Sequence, residues 1–174
     1  MKEPEFREAA PDDATAIVAR VESASRGESS RAGWTTEADL LDGQRTDLDE
    51  VRGLVGGDDS RIVLAIDGAA VVGCASLRRD GDAAWFGMFA VQPPLQGAGI
   101  GAALLRECER LARIEWGAVR QCMTVIRGRE ELIDWYRRRG YAETGEGRPF
   151  PYGDPRFGLP RRDDLYFIVL QKAL

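Results

Sequence analysis

Histidine is missing from all 174 residues. Its absence excludes Ser-His-Asp and Cys-His nucleophilic sites and every His-ligated zinc site. Acid–base chemistry must then use carboxylates, Tyr, Lys, Cys, backbone groups or water. Cysteine is scarce, and Cys74, Cys108 and Cys122 lie apart inside apolar stretches. They form neither a disulfide framework nor a metal-ligand spacing, so reduced core residues and no metal are expected. Positive charge is in deficit: the net charge of −5 removes the overall electrostatic term that nucleic-acid binding needs. No apolar run approaches the length of a membrane span. The start, MKEPEFREAAPDDA, has no apolar core of the kind a signal peptide carries. The expectation is a cytoplasmic protein that engages neither nucleic acid nor membrane.

What remains is an ordinary globular composition, 44% hydrophobic and 30% charged, on a chain long enough for one sizeable core. A single domain over residues 1–174 is expected. Glu5 to Ala9 reads as a short strand. Pro11-Asp12-Asp13 opens a helix whose apolar positions are Ala14, Ile17, Val18, Val21 and Ala24. Arg26 to Arg31 reads as a polar break, and Glu37 to Val55 as a helix in two pieces interrupted at Gly43. The period then changes to two. Arg61 to Ile66, Ala69 to Leu77 and Ala83 to Val91 form an antiparallel meander turned at Asp67-Gly68 and Asp80-Gly81-Asp82.

Ile100, Leu104, Cys108, Leu111 and Ala112 make one helical stripe, stopped by Gly117. A strand over Gln121–Ile126 follows, then a helix over Glu130–Arg139 stopped by Gly140. A strand starts at Tyr141–Thr144, and the last runs from Asp164. Between those two lies GEGRPFPYGDPRFGLPRRD, residues 145–163, read as a loop of roughly twenty residues; so long a loop is functional or mobile. The fold class is α/β of the mixed α+β kind.

The most informative stretch is VQPPLQGAGIGAALL, Val91 to Leu105. Glycines between a strand and a helix let an anion approach the unpaired N–H groups of the first helical turn. A Walker loop is excluded, because no Lys-Ser or Lys-Thr follows. Gly97, Gly99 and Ala102 satisfy G-x-G-x-x-A. However, five residues separate the turn from a strand that belongs to a meander, and no acidic ribose ligand follows the next strand. A plain glycine-rich helix start is the remaining residue-level alternative.

Val91-Gln92-Pro93 followed by Gln96-x-x-Gly99-x-Gly101 resembles the acyl-CoA pyrophosphate loop of the GNAT N-acetyltransferase superfamily. EELIDWYRRRGY, Glu130 to Tyr141, is similar to that family's segment ending in Y-E-K-x-G-F, and the close at Leu170–Leu174 resembles its last strand. The resemblance implies a central, mostly antiparallel sheet flanked by helices and splayed at the cofactor cleft. It implies that the backbone of Phe89, Ala90 and Val91 pairs with the pantetheine arm of acetyl-CoA. The pyrophosphate would then rest on Gln96, Gly97, Ala98, Gly99, Ile100 and Gly101. Tyr136 takes the place of the general acid, with core packing beside Trp135 as its alternative. Arg129 stands where the family often has Asn, and would meet the cofactor or a substrate carboxylate. Arg139 would approach the cofactor's ribose phosphate or belong to a solvated face with Arg137 and Arg138. Trp85, Phe86, Gly87 and Met88 offer no carboxylate where the family often places its base.

The implied activity is transfer of acetyl from acetyl-CoA to a primary amine, by direct attack in a ternary complex. The alternative is a non-catalytic acyl-CoA-binding or regulatory domain. The acceptor, a small molecule or a peptide, would face Gly33 to Arg45. There Trp34 could stack on a cation, Thr36 could cap a helix, and Glu37 could bind an ammonium or relay its proton. Acids outnumber Arg45 and Arg52 between Glu37 and Asp59, which hints at a cationic acceptor or simply a solvated acidic face. Tyr152 of the long loop is a further substrate candidate. That loop is read as a lid or a dimer contact, so a homodimer is one of the expected partnerships.

Overall fold

The structure, a computed structural model of the chain, describes residues 3–31, 33 and 36–174. Seven strands build the main sheet. β1 is Glu5–Glu8, β3 Ser60–Asp67, β4 Ala70–Asp80, β5 Ala83–Val91, β6 Arg120–Ile126, β7 Ala142–Pro149 and β9 Tyr166–Ala173, and two short strands, β2 (Leu41–Asp42) and β8 (Leu159–Pro160), pair separately. The helices are α1 (Ala14–Ser25), the single-turn α2 (Gly27–Ser30), α3 (Leu48–Gly56), α4 (Ile100–Trp116) and α5 (Glu130–Arg137). Sheet order is β1-β3-β4-β5-β6-β9-β7, and every neighbouring pair is antiparallel except β5 with β6. This is one mixed α/β domain, as the resemblance implied.

The alternating pattern of β3 and β4 explains the layers. Ile62, Leu64 and Cys74 face one side and pack under Ile17 and Val21 of α1 and Val51 of α3. Val63, Ala75 and Leu77 face the other and meet Leu104, Leu105 and Cys108 of α4 with Ile133 and Tyr136 of α5. Period-two strands present opposite faces to two helical layers, which is why so many sheet residues are fully buried. All three cysteines are buried and reduced. Among the described residues no helix is long and apolar enough to cross a membrane.

Two irregularities open the sheet. β5 pairs with β6 only through Ala83–Trp85 and Arg120–Cys122, so from Phe86 onward the strands part. The β4–β5 register shifts between Cys74 and Ser76, opposite Ala90 and Gly87. Met88 sits in that shift at φ 47°, the one non-glycine residue with positive φ among those described. An extra residue in one strand bends it away from its neighbour. The bulge and the parting of β5 from β6 therefore form one feature.

Three sequence expectations need correction. The two-piece helix over Glu37–Val55 is one helix only. Leu41-Asp42 form β2 and pair with Leu159-Pro160, Gly43 turns at φ 74°, and α3 starts after Asp47, whose carboxylate accepts from the Glu50 N–H at 2.8 Å. The Arg26–Arg31 break contains the single turn α2. The loop placed at residues 145–163 is shorter, because β7 continues to Pro149 along β9. β7 is exposed throughout. As an edge strand it lacks the hydrophobic alternation that marks a strand in sequence, and it tolerates a proline.

Candidate active site

The parted edge of β5 is one wall of the cleft. The Gln92 N–H donates to the Val72 carbonyl at 2.8 Å, which fixes the β4-facing side of this strand end. Alternation then turns the Phe89 and Val91 backbone groups toward the gap. The Val91 carbonyl accepts from the Gln96 side-chain amide at 3.2 Å, so the turn that follows folds back on the edge. Exposed polar edge groups take whatever partner is near.

The glycine turn divides its labour. Gly97 and Gly99 have φ of 86° and 89°, and a Cβ on either would meet nothing within 4 Å. They are required for backbone conformation. Gly101 is different: its Cβ would come within 3.1 Å of Phe89 Cζ, so the aromatic ring needs the space. Residues Gly97, Ala98 and Gly99 are exposed. The first intrahelical bond of α4 runs from the Ala103 N–H to the Gly99 carbonyl at 3.1 Å. Gly99 brings no side-chain cap. The N–H groups of Ile100, Gly101 and Ala102 are left at the positive end of a 17-residue helix, a geometry suited to phosphate oxygens.

Across the gap stands α5. Phe89 lies 5.9 Å from Trp135 and 6.4 Å from Tyr136, ring centroid to centroid, and Tyr136 packs edge-on against Tyr141 at 5.9 Å. Tyr136 is buried at 4% exposure. Burial pushes its phenol well above the usual tyrosine range, with Arg129 pulling it down and Glu37 pushing it up. The hydroxyl is therefore a proton donor at any ordinary pH. Arg139 stacks on Trp135 at 3.7 Å and donates to the Trp135 carbonyl at 2.9 Å. It is thus held against the Trp135 ring, whereas Arg137 pairs with Asp134 and Glu143 at the surface.

The two remaining site candidates on the chemical side meet each other. Glu37 is ion-paired through one oxygen to Arg26 and through the other to Arg129, the latter at 2.8 Å. The three side chains are 6%, 12% and 13% exposed for Arg26, Glu37 and Arg129 respectively. Burial alone would raise the Glu37 carboxyl; Arg129, Arg26 and Arg45 outweigh it and hold the group below its ordinary value. Glu37 is thus a fixed anion whose carboxylate oxygens already serve two guanidinium groups. Arg26 is expected from the sequence only as the start of a polar break, not as a site residue. A polar residue just past a helix end carries no sequence signal for burial, and the structure alone brings it to Glu37.

Thr36 caps no helix. Its hydroxyl bonds with Ser30 and accepts from the Ala38 N–H at 3.0 Å, steadying the turn that presents Glu37. Tyr152 is 43% exposed; its hydroxyl donates to the Arg162 carbonyl at 3.1 Å and accepts from the Leu165 N–H at 2.7 Å, holding the 150–165 segment together. Trp34 lies outside the described residues. Several acids of the 37–59 segment have partners of their own. Asp39 pairs with Arg31, Asp42 with Arg161, and Glu50 accepts from the Thr46 hydroxyl.

Comparison with known proteins agrees with this geometry. Residues 58–143 match the family model of the acetyltransferase (GNAT) domain. They span β3 through the start of β7 and so include the bulged strand, the glycine turn and α5. On this match residues 58–143 are a GNAT acetyltransferase domain, and the fold of the described residues agrees. Ribosomal-protein-S18-alanine N-acetyltransferase from Escherichia coli superposes with TM-score 0.71 at 15% identity, covering 97% of this chain and 92% of that one. Ribosomal-protein-alanine N-acetyltransferase from Brucella melitensis gives TM-score 0.71 at 22% identity, with 98% and 99% covered. A candidate streptothricin acetyltransferase from Bacillus anthracis, solved with acetyl coenzyme A, gives TM-score 0.60 at 14% identity over 71% of this chain and 68% of that one. At such identities the likeness is one of fold. No curated protein matches the chain.

Proposed function

We propose that this chain is a cytoplasmic acetyl-CoA-dependent N-acetyltransferase acting on a primary amine, with residues 1–174 working as one domain. The observation that carries this reading is the parted β5 edge lying beside the uncapped N-terminus of α4. A strand edge that offers N–H and C=O groups suits the amides of a pantetheine arm, and the helix start suits a pyrophosphate. Phe89, Ala90 and Val91 would hold the arm. Gln96, Gly97, Ala98, Gly99, Ile100 and Gly101 would hold the phosphates, with Arg139 at the rim. No metal is required.

Bound acetyl-CoA supplies a thioester open to direct attack in a ternary complex. A backbone N–H of the β5 edge is positioned to stabilise negative charge on the thioester oxygen. The Tyr136 hydroxyl hydrogen-bonds to the departing sulfur or gives it a proton; burial keeps the phenol protonated, and so available as a donor, while making it a weaker acid. Arg129 and Glu37 bear on the acceptor side, with Thr36 and Tyr152 as further candidates for that wall.

One observation favours a second reading, a non-catalytic acyl-CoA-binding domain. Glu37, whose charge acts on the phenol, is engaged by two arginines, and β5 brings no carboxylate to replace it as base. Calorimetric titration with CoA together with thiol release from acetyl-CoA over an amine panel separates the readings. Tight CoA binding with amine-dependent release supports the enzyme. Tight binding with no release under any amine supports the second reading.

A further inference from the structure

Behind Tyr136 lies a polar cluster that the chemistry described above does not use. The Tyr141 hydroxyl donates to Glu109 Oε1 at 2.8 Å and accepts from Gln121 Nε2 at 3.0 Å. Lys172 Nζ donates to both Glu109 oxygens at 3.1 Å and stands 5.7 Å from the centre of the Tyr141 ring. Glu109 belongs to α4, Gln121 to β6 and Lys172 to β9, so one hydroxyl is tied to three elements. Tyr141 is 2% exposed and Gln121 0%.

Core packing alone does not require this cluster. Phenylalanine at position 141 would make the same ring contacts and bring no polar atom inside. The hydroxyl instead draws a carboxylate and an amide inward, and the Gln121 Oε1 is buried with no hydrogen-bond partner among the described residues. An unpaired buried acceptor costs stability. What a bonded network adds is a fixed orientation, because partners on different elements set both the place and the plane of the ring. Burial and the Glu109 charge push the Tyr141 phenol well above the usual range, so its hydroxyl stays the donor to Glu109.

The neighbour of that ring gives the fixed orientation a use. Phe89, Trp135 and Tyr141 surround the Tyr136 ring. Phe89 has no polar side-chain atom, and Trp135 rides on the same helix as Tyr136. Tyr141 lies beyond that helix, past Gly140 at φ 99°, and its backbone N–H returns to the Tyr136 carbonyl at 3.2 Å. Backbone and ring of Tyr141 both bear on Tyr136, while its hydroxyl is anchored elsewhere.

We propose that Tyr141 is a positioning residue for Tyr136: tethered through its hydroxyl to Glu109 and Gln121, it holds the Tyr136 ring where the Tyr136 hydroxyl meets the departing sulfur. This rests on the acetyltransferase reading above and adds Tyr141 and Glu109 to it, acting through Tyr136 alone.

Double-mutant kinetics on the full chain test it. Thiol release from acetyl-CoA is followed with the most active amine of a panel of amino acids, polyamines and short peptides. Tyr141→Phe should lower kcat about fivefold or more, while KM for acetyl-CoA and CoA affinity by calorimetry stay within about twofold. In a Tyr136→Phe background the same change should move kcat by less than about twofold, because no hydroxyl is left to position. A structural role alone predicts the same change in kcat in both backgrounds. Glu109→Gln keeps an acceptor for the Tyr141 hydroxyl and should retain most of kcat; Glu109→Ala removes it and should match Tyr141→Phe.

An equal loss in both backgrounds, or a parent-like kcat in Tyr141→Phe, would overturn the proposal and leave the acetyltransferase reading intact. A Tyr136→Phe enzyme as fast as the parent would remove the acid role and the proposal together. If no amine releases thiol in the parent, the acetyltransferase reading itself fails and the proposal falls with it. Should Tyr141→Phe not fold by circular dichroism, or Tyr136→Phe be too slow to measure, Glu109→Ala against Glu109→Gln is the deciding comparison, and equal rates overturn the proposal.

Discussion

Replacing Gly99 tests the phosphate turn most sharply, because the structure separates two costs. A side chain at Gly99 has room, since its Cβ would meet nothing within 4 Å, but it must adopt φ of 89°. An L-residue there costs about 1–2 kcal/mol. For a chain of this length each kcal/mol moves Tm by about 2–4 °C, so Gly99→Ala should lower Tm by about 2–8 °C and leave a folded protein. Gly99→Glu pays the same conformational penalty and adds a negative charge at the N-terminus of α4. There it stands where phosphate would sit and opposes a dianionic pyrophosphate.

Calorimetric titration with CoA should show an affinity loss of about tenfold or more in Gly99→Glu, or about 1.4 kcal/mol. Gly99→Ala should lose less, with a similar fall in Tm. The two variants together remove strain as an explanation. If Gly99→Glu binds CoA within about twofold of the parent, the turn is not the phosphate site.

Further outcomes follow from the other wall and from the termini of the fold. Tyr136→Phe keeps the ring in its aromatic ladder and should lower kcat by about 10- to 1000-fold with little change in CoA affinity; a kcat within about twofold of the parent removes the acid role. With its phenol raised by burial, Tyr136 should give no descending alkaline limb in kcat until above the usual phenol range near about 10, whereas a limb near about 8 would contradict it. Glu37→Gln leaves Arg26 and Arg129 facing a neutral amide, so denaturant unfolding should report a loss of about 3–5 kcal/mol rather than the fraction expected of a surface acid. The lowered Glu37 carboxyl contributes stability that is present above about pH 4 and fades as pH falls below it, so the same variant should flatten the acid side of the stability curve. Asp13, held down to about 2 chiefly by its hydrogen bond from Arg7, should add a loss between about pH 4 and pH 2 that Asp13→Asn abolishes; an unchanged slope would show that the pair does not persist in solution.

Legibility in the sequence followed the strength of local signals. β3, β5, α4 and β6 lie within a residue or two of their expected limits, and β4 runs three residues past its expected end at Leu77, because period-two runs, tight Gly turns and a stopping Gly117 at φ 62° are local chemistry. β2 and β8 escaped notice because two-residue strands exist only through their mutual pairing, Leu41 with Pro160 and Asp42 with Leu159. β7 escaped in part because an exposed edge strand has no hydrophobic pattern. In the site, the glycine turn was visible through its spacing, yet the separate reasons for Gly99 and Gly101 needed φ and the position of Phe89.

The acceptor side shows the limit more clearly. Glu37 and Arg129 were both singled out, but their ion pair joins residues 92 positions apart, and Arg26 enters only through tertiary packing. Net charge along a segment counted acids without their partners. The bulge at Met88 likewise depends on how β4 and β5 register, which no run of residues announces.

The central claim is that acetyl transfer occurs directly between two substrates held together at the parted β5 edge. Initial-rate kinetics of thiol release, with acetyl-CoA and an amine acceptor both varied, test it most directly. Intersecting double-reciprocal lines, with release dependent on the amine, are predicted. Parallel lines would indicate a covalent acetyl-enzyme and contradict direct transfer, and CoA binding without any amine-dependent release would contradict the enzyme reading itself.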